Sequence, residues 1–143
     1  MPVLERAIRW VRKAAHDGFQ VQLELPEAMP VTGSAGQVQQ VLMNLVQNAH
    51  DATLGEPVAR LEVRGRMDDA TAVLEFRDNG PGIDPENLPR IFDPFFTMKP
   101  VGRGTGLGLA ISYGAVQRHG GELSATNHPQ KGAVFTLRLP SAR

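Results

Sequence analysis

Cysteine is absent from this 143-residue chain. That excludes disulfides, thiolate catalysis and cysteine-bound zinc together. Net charge is absent as well, because 15 Lys and Arg balance 15 Asp and Glu. No field therefore draws the chain toward nucleic acid or an anionic membrane. No apolar run approaches the ~20 residues of a membrane span, and no charged-then-apolar leader opens the chain. The four histidines are scattered without metal-ligand spacing. Internal repeats and low-complexity stretches are missing. With 41% hydrophobic residues, the expectation is a single globular domain over residues 1–143. It is expected in the cytoplasm, with no nucleic-acid partner and no insertion into a membrane.

Glycine, by contrast, is concentrated. One stretch reads Asp78-Asn79-Gly80-Pro81-Gly82-Ile83 and another Gly102-Arg103-Gly104-Thr105-Gly106-Leu107-Gly108-Leu109. Such density weakens helices and strands, and close backbone approach to a ligand is the usual compensation. One stretch carries a carboxylate, and the segment between them carries Lys99. The combination points to a nucleotide.

Periodicity predicts the order α-β-α-β-β-loop-α-β-β. Leu4, Ala7, Ile8, Val11 and Ala15 recur at helical spacing over Val3–Ala15, and Phe19–Leu25 alternates as a half-buried strand. A helix capped by Ser34 runs to about Leu54, followed by strands at about Arg60–Arg66 and Thr71–Asp78. The stretch from Asn79 to Arg103 is irregular, with one short helical turn near Glu86–Phe92. Phe92, Phe95 and Phe96 within it either anchor it to the core or belong to a hinged lid. Thr105–His119 reads as a helix, and Glu122–Thr126 with Ala133–Leu139 as a hairpin. Paired strands with helices between the pairs predict an α/β fold, a mixed sheet covered by helices on one face.

The middle helix carries two stripes. Val38, Val41, Leu42, Leu45, Val46, Ala49 and Ala52 form the apolar one. Gln40, Asn44, Asn48 and Asp51 share a second face, within ~80° of arc. Exposed helix faces usually interleave Lys and Glu, and asparagine is a poor helix former. These amides therefore read either as a ligand site or as a polar face packed under a loop. An amide oxygen is a hard donor suited to Mg²⁺, which takes few protein ligands when it also bridges phosphates. Asp78 closes an apolar strand. A carboxylate only accepts hydrogen bonds, so in a pocket it suits the exocyclic amine of adenine and repels the carbonyl of guanine. Gly80 and Gly82 let the backbone lie against a flat base, although Asp-Asn-Gly-Pro-Gly also forms ordinary turns. The second glycine stretch matches neither the dinucleotide fingerprint nor a Walker A loop. It runs into a helix N-terminus, where amides and dipole favour phosphate.

Taken in order, Asn44-Leu45-Val46-Gln47-Asn48-Ala49, Asp78-Asn79-Gly80-Pro81-Gly82, Phe92-Asp93-Pro94-Phe95-Phe96 and Gly104-Thr105-Gly106-Leu107-Gly108-Leu109 resemble a family's four boxes. They are similar to the N box, first glycine box, F box and second glycine box of the catalytic ATP-binding domain of sensor histidine kinases. That domain belongs to the GHKL superfamily, and the Phe-Asp-Pro-Phe-Phe-Thr-Met-Lys form looks closest to the nitrogen-regulation and oxygen-sensor type. The resemblance covers nearly the whole chain. It implies a two-layer α/β sandwich (the Bergerat fold), with about five mixed strands against three helices. It implies ATP and Mg²⁺ as the bound groups, with Asn48 as metal ligand and Asn44 near the phosphates. Asp78 would accept from the adenine amine, with Gly80 and Gly82 beside the base. Gly104, Gly106 and Gly108, with Thr105 and Leu107 between them, would line the triphosphate. Lys99 and Thr136 are further expected contacts, the latter because a late-strand threonine lies near adenine in related domains.

Two departures from that pattern carry function. ATP-hydrolysing relatives place a glutamate where this chain has Gln40, and an amide cannot act as a general base. Transfer to a neutral histidine nitrogen needs positioning and charge neutralisation instead. The family's accepting histidine stands before an acidic residue and Asn-Pro, a context that His16, His50, His119 and His128 lack. The expected function is a histidine kinase catalytic domain whose acceptor histidine lies on a separate dimerisation domain, with a response regulator downstream. A stand-alone anti-sigma-factor-type serine kinase, a non-catalytic nucleotide-binding module and an ATPase of the gyrase type are the alternatives.

Overall fold

The computed structural model of the chain describes residues 19–26, 35–94 and 108–140. Among them, five strands form one mixed sheet in the spatial order β1-β2-β3-β5-β4. They are β1 (Phe19–Glu24), β2 (Ala59–Asp68), β3 (Thr71–Asp78), β4 (Glu122–Asn127) and β5 (Ala133–Pro140). Among the described residues, two helices, α1 (Ala35–Ala52) and α2 (Gly108–Arg118), accompany a 3-10 turn at Leu88–Arg90. This is the expected α/β architecture with its five mixed strands. The predicted helix Val3–Ala15 and the Ser34 cap lie outside the described residues.

Alternation sets the two faces of the sheet. Ala133, Phe135, Leu137 and Leu139 of β5 are buried, as are Ala72, Leu74 and Phe76 of β3. The register opposes Phe76 to Phe135 and Leu74 to Leu137, so these side chains leave the sheet on one side. There they meet the predicted stripe of α1, where Val38, Val41, Leu42, Leu45, Val46 and Ala49 are all buried. Each such Val or Leu side chain contributes about 1.5–3 kcal/mol on burial. The outer face is charged, with Arg66 reaching Glu75 at 3.9 Å.

Local chemistry moves two boundaries from their expected places. α1 stops at Ala52, and the buried Thr53 that follows donates both its N–H and its hydroxyl back to the carbonyl of Ala49, at 3.2 and 2.9 Å. The β2–β3 connection tightens to two residues, pairing Asp68 with Thr71, and Asp69 takes φ 54°. Aspartate tolerates that left-handed conformation better than most residues. β1 pairs with β2 in parallel, so the chain must cross over between them, and α1 lies on that crossover.

Candidate functional site

Asp78 ends β3 on the helix-facing side, on a row with Leu61 of β2. One step beyond the last β3–β5 pair, the row reaches Ala133 and then Asn127, its partner on β4. The carboxylate is only 3% exposed. Its Oδ1 accepts from the backbone N–H of Gly80 at 2.9 Å and of Ala133 at 3.3 Å. No described residue donates to Oδ2. Burial pushes the Asp78 carboxyl above its ordinary value of 3.8, the two backbone bonds pull it back, and the Glu56 charge adds to the rise. A buried acceptor with half its capacity unfilled is costly unless something else fills it.

Two asparagines that sequence reasoning passed over hold this corner. Asn79 accepts from the N–H of Arg60 at 2.8 Å and donates to the carbonyl of Val58 at 2.6 Å. Asn127 accepts from the N–H of Ile83 at 2.7 Å and donates to its carbonyl at 2.6 Å. Each amide pairs with backbone as a strand would, so the loop 79–83 is clamped at both ends. The only signal in sequence was that asparagine is a poor strand residue, placed here at strand termini. Gly82 lies between the clamps with φ +86°, and Gly80 is buried beside Asp78. Gly132, also unforeseen, has φ +93°, and a Cβ there would collide with the Asp78 carbonyl oxygen.

The amide face of α1 divides into two parts. Asn44 donates to Ser112 Oγ of α2 at 3.0 Å and to the carbonyl of Gly108 at 3.4 Å. Its Oδ1 accepts from Gln40 Nε2 at 3.0 Å. Ser112, fully buried, is a further residue that periodicity did not single out. Asn48, one turn on, is half-buried, and its side chain makes no hydrogen bond to any described residue. Gln47 donates to Asp51 at 3.1 Å on the same helix. Asn44 is thus engaged between helices, while the Asn48 amide remains available.

The structure brings Asp78, Gly80 and Gly82 together, and links Gln40 and Asn44 to Gly108 at the first turn of α2. Thr136 is a correction. It pairs with Glu75 and Ser124, one residue out of phase with Phe135, and therefore leaves the sheet on the face opposite Asp78. The late-strand group at Asp78 is the backbone N–H of Ala133. Lys99, Gly104, Thr105, Gly106 and Leu107 lie outside the described residues, as do Phe95 and Phe96. Phe92 stacks on Tyr113 at 5.0 Å and meets Phe135 edge-on at 6.3 Å, so it anchors its segment to the core. Among the described residues no group of three or more His, Cys, Asp or Glu could hold a metal.

A mixed sheet backed by helices, with a buried acceptor at a central strand end and an available amide on the crossover helix, defines a nucleotide-binding class of domain. Comparison with known proteins narrows the class. The model for histidine kinase-, DNA gyrase B-, and HSP90-like ATPases matches residues 33–143, and the chain belongs to that family. It is 45% identical to the two-component sensor PprA of Pseudomonas aeruginosa over 130 residues, covering 85% of this chain and 14% of PprA. It is 32% identical to the sensory histidine kinase/phosphatase NtrB of Rhizobium meliloti over 152 residues, covering 93% of this chain and 39% of NtrB. Among solved structures, the catalytic domain of histidine kinase ThkA superposes with a TM-score of 0.83 at 31% identity, covering 98% of this chain and 95% of that one. The mycobacterial sensor histidine kinase MprB gives 0.82 at 28% identity, covering 98% and 94%. The chain corresponds to the catalytic ATP-binding domain of sensor histidine kinases and spans a small part of its curated relatives' length. No helix among the described residues is long and apolar enough to cross a membrane.

Proposed function

We propose that the chain binds ATP with Mg²⁺ and donates the γ-phosphate to a histidine on a separate dimerisation domain, as the catalytic part of a two-component sensor kinase. Residues 1–143 form one domain in this reading, lacking the acceptor. It works on the cytoplasmic side, where ATP is available, and a response regulator takes the phosphate onward.

The observation that carries the reading is the half-satisfied carboxylate of Asp78. Oδ1 is fixed by two backbone amides, which aims Oδ2 without consuming it. An acceptor-only group so placed accepts from the 6-amino group of adenine and disfavours guanine. Gly80 and Gly82 border the base. Asn48 fits a divalent cation, because its amide has no partner among the described residues and sits one turn from the Asn44 strut. Mg²⁺, when bound, would neutralise charge on the phosphates. Gly108 opens α2 toward the same end, and Asn44 fixes its carbonyl. Gln40, already donating to Asn44, offers no basic atom to activate water. The arrangement therefore suits transfer to a nucleophile held by another domain over hydrolysis.

Incubation of the chain with labelled ATP and candidate histidine-bearing dimerisation domains tests the proposal. Acid-labile phosphate on the partner is the expected product. Acid-stable phosphoserine would favour the anti-sigma-factor-type kinase, and rapid hydrolysis by the chain alone would contradict the role given to Gln40.

A further inference from the structure

The loop between β4 and β5, residues 128–132, is built against Asp78. It closes on itself through the His128 N–H, which donates to the carbonyl of Gly132 at 2.8 Å. Gly132 abuts the Asp78 backbone, and Ala133 beyond it supplies an N–H to Oδ1. The loop's one link to the chain leaving α1 among the described side chains is the ion pair of Lys131 Nζ with Glu56 Oε1. The Glu56 side chain is 16% exposed and that of Lys131 53%. Exposed pairs of this kind usually do little for stability. This one, however, ties down a carboxylate close enough to Asp78 for the two charges to interact.

We infer that Lys131 is a positioning residue for base recognition. By pairing with Glu56 it holds the β4–β5 loop against Asp78 and offsets the neighbouring negative charge. The Ala133 amide, which with Gly80 orients the carboxylate, stands at the start of β5 directly beyond the loop, so releasing Lys131 lets Oδ1, and with it Oδ2, drift from its alignment. Glu56, left unneutralised, then competes with Asp78 for any nearby donor. The inference rests on the proposed contact between Asp78 and the adenine amine.

The test compares ATP with purine-riboside triphosphate, which lacks only the 6-amino group, by calorimetric titration of the full chain in Mg²⁺. Wild type is expected to prefer ATP. Lys131→Ala is expected to lower ATP affinity about threefold to tenfold while leaving the analogue's affinity unchanged. Lys131→Arg keeps the pair and should retain the wild-type preference. If Lys131→Ala keeps the full preference, or weakens both nucleotides equally, the positioning role is overturned while the Asp78 reading stands. If wild type itself shows no preference, the Asp78 reading falls and this inference falls with it.

Discussion

Asn44 on α1 donates its side-chain amide to the buried hydroxyl of Ser112 on α2, 3.0 Å away. The two described helices are thereby joined by a polar contact at the end proposed to hold the nucleotide. Two asparagines one turn apart thus carry different duties, one as a strut and the other as a candidate ligand.

That division makes Asn44 and Asn48 separable. Asn44→Ala leaves Ser112 buried without this partner and is expected to lower the free energy of unfolding by about 1–3 kcal/mol. Asn48→Ala disturbs no hydrogen bond among the described residues and should stay within about 0.5 kcal/mol of wild type. It should nevertheless remove the Mg²⁺ dependence of ATP binding. Urea unfolding and nucleotide titration with and without Mg²⁺ read the two effects; equal destabilisation by both variants would contradict the assignment.

Asp78→Asn should weaken ATP binding roughly 10- to 100-fold, the loss expected when a charged acceptor is replaced by an amide that can present a donor. The fold itself should not suffer, because the variant removes a buried charge while its amide oxygen can still accept from Gly80 and Ala133. Unchanged nucleotide affinity would move the base elsewhere.

The same carboxylate sets a pH dependence. Burial lifts Asp78 above 3.8, so from 3.8 up to its folded pKa the folded chain holds a proton that the unfolded chain has released. That proton stabilises the fold. Its contribution is complete below pH 3.8 and is lost as pH rises through the folded value. Asp78→Asn cannot titrate, so the stability of wild type relative to the variant should fall as pH rises across this window. Urea unfolding at matched pH values measures it, and parallel profiles would count against a raised pKa.

Glycines at the site fall into two kinds. Gly132→Ala forces a Cβ into the Asp78 carbonyl at φ +93° and should cost about 2 kcal/mol or more. Gly108→Ala meets none of the described residues within 4 Å and should change stability by less than about 1 kcal/mol. If ATP affinity still drops in Gly108→Ala, the ligand rather than the fold demands that glycine. Thermal unfolding and titration of both variants decide this.

Much of the candidate site was legible because its signals are local. The stripe of α1 follows from 3.6-residue periodicity, and Asp78 stands out as a charge ending an apolar strand. What escaped was non-local. Asn127 binds Ile83 and Asn44 binds Ser112 across long stretches of sequence, and no window of neighbours contains both partners. Thr136 was misplaced because residue type was carried over without phase. Counting in twos from Phe135, whose ring is buried, would have put the threonine on the outer face and left Ala133 beside Asp78.

Beside β1, which pairs in parallel with β2, the sheet contains two hairpins, β2–β3 and β4–β5, each paired within a short span of chain and joined where β3 meets β5. Asp78 belongs to the first hairpin, while Ala133 and Asn127 belong to the second. The acceptor is therefore made at a seam. A fragment ending before β4 would contain every atom of the carboxylate and the Gly80 amide, and still lack the second amide that fixes it, that of Ala133. In the proposed reading, competence to recognise a base arises only when the two hairpins are docked, so that nucleotide binding would double as a report that the sheet is complete.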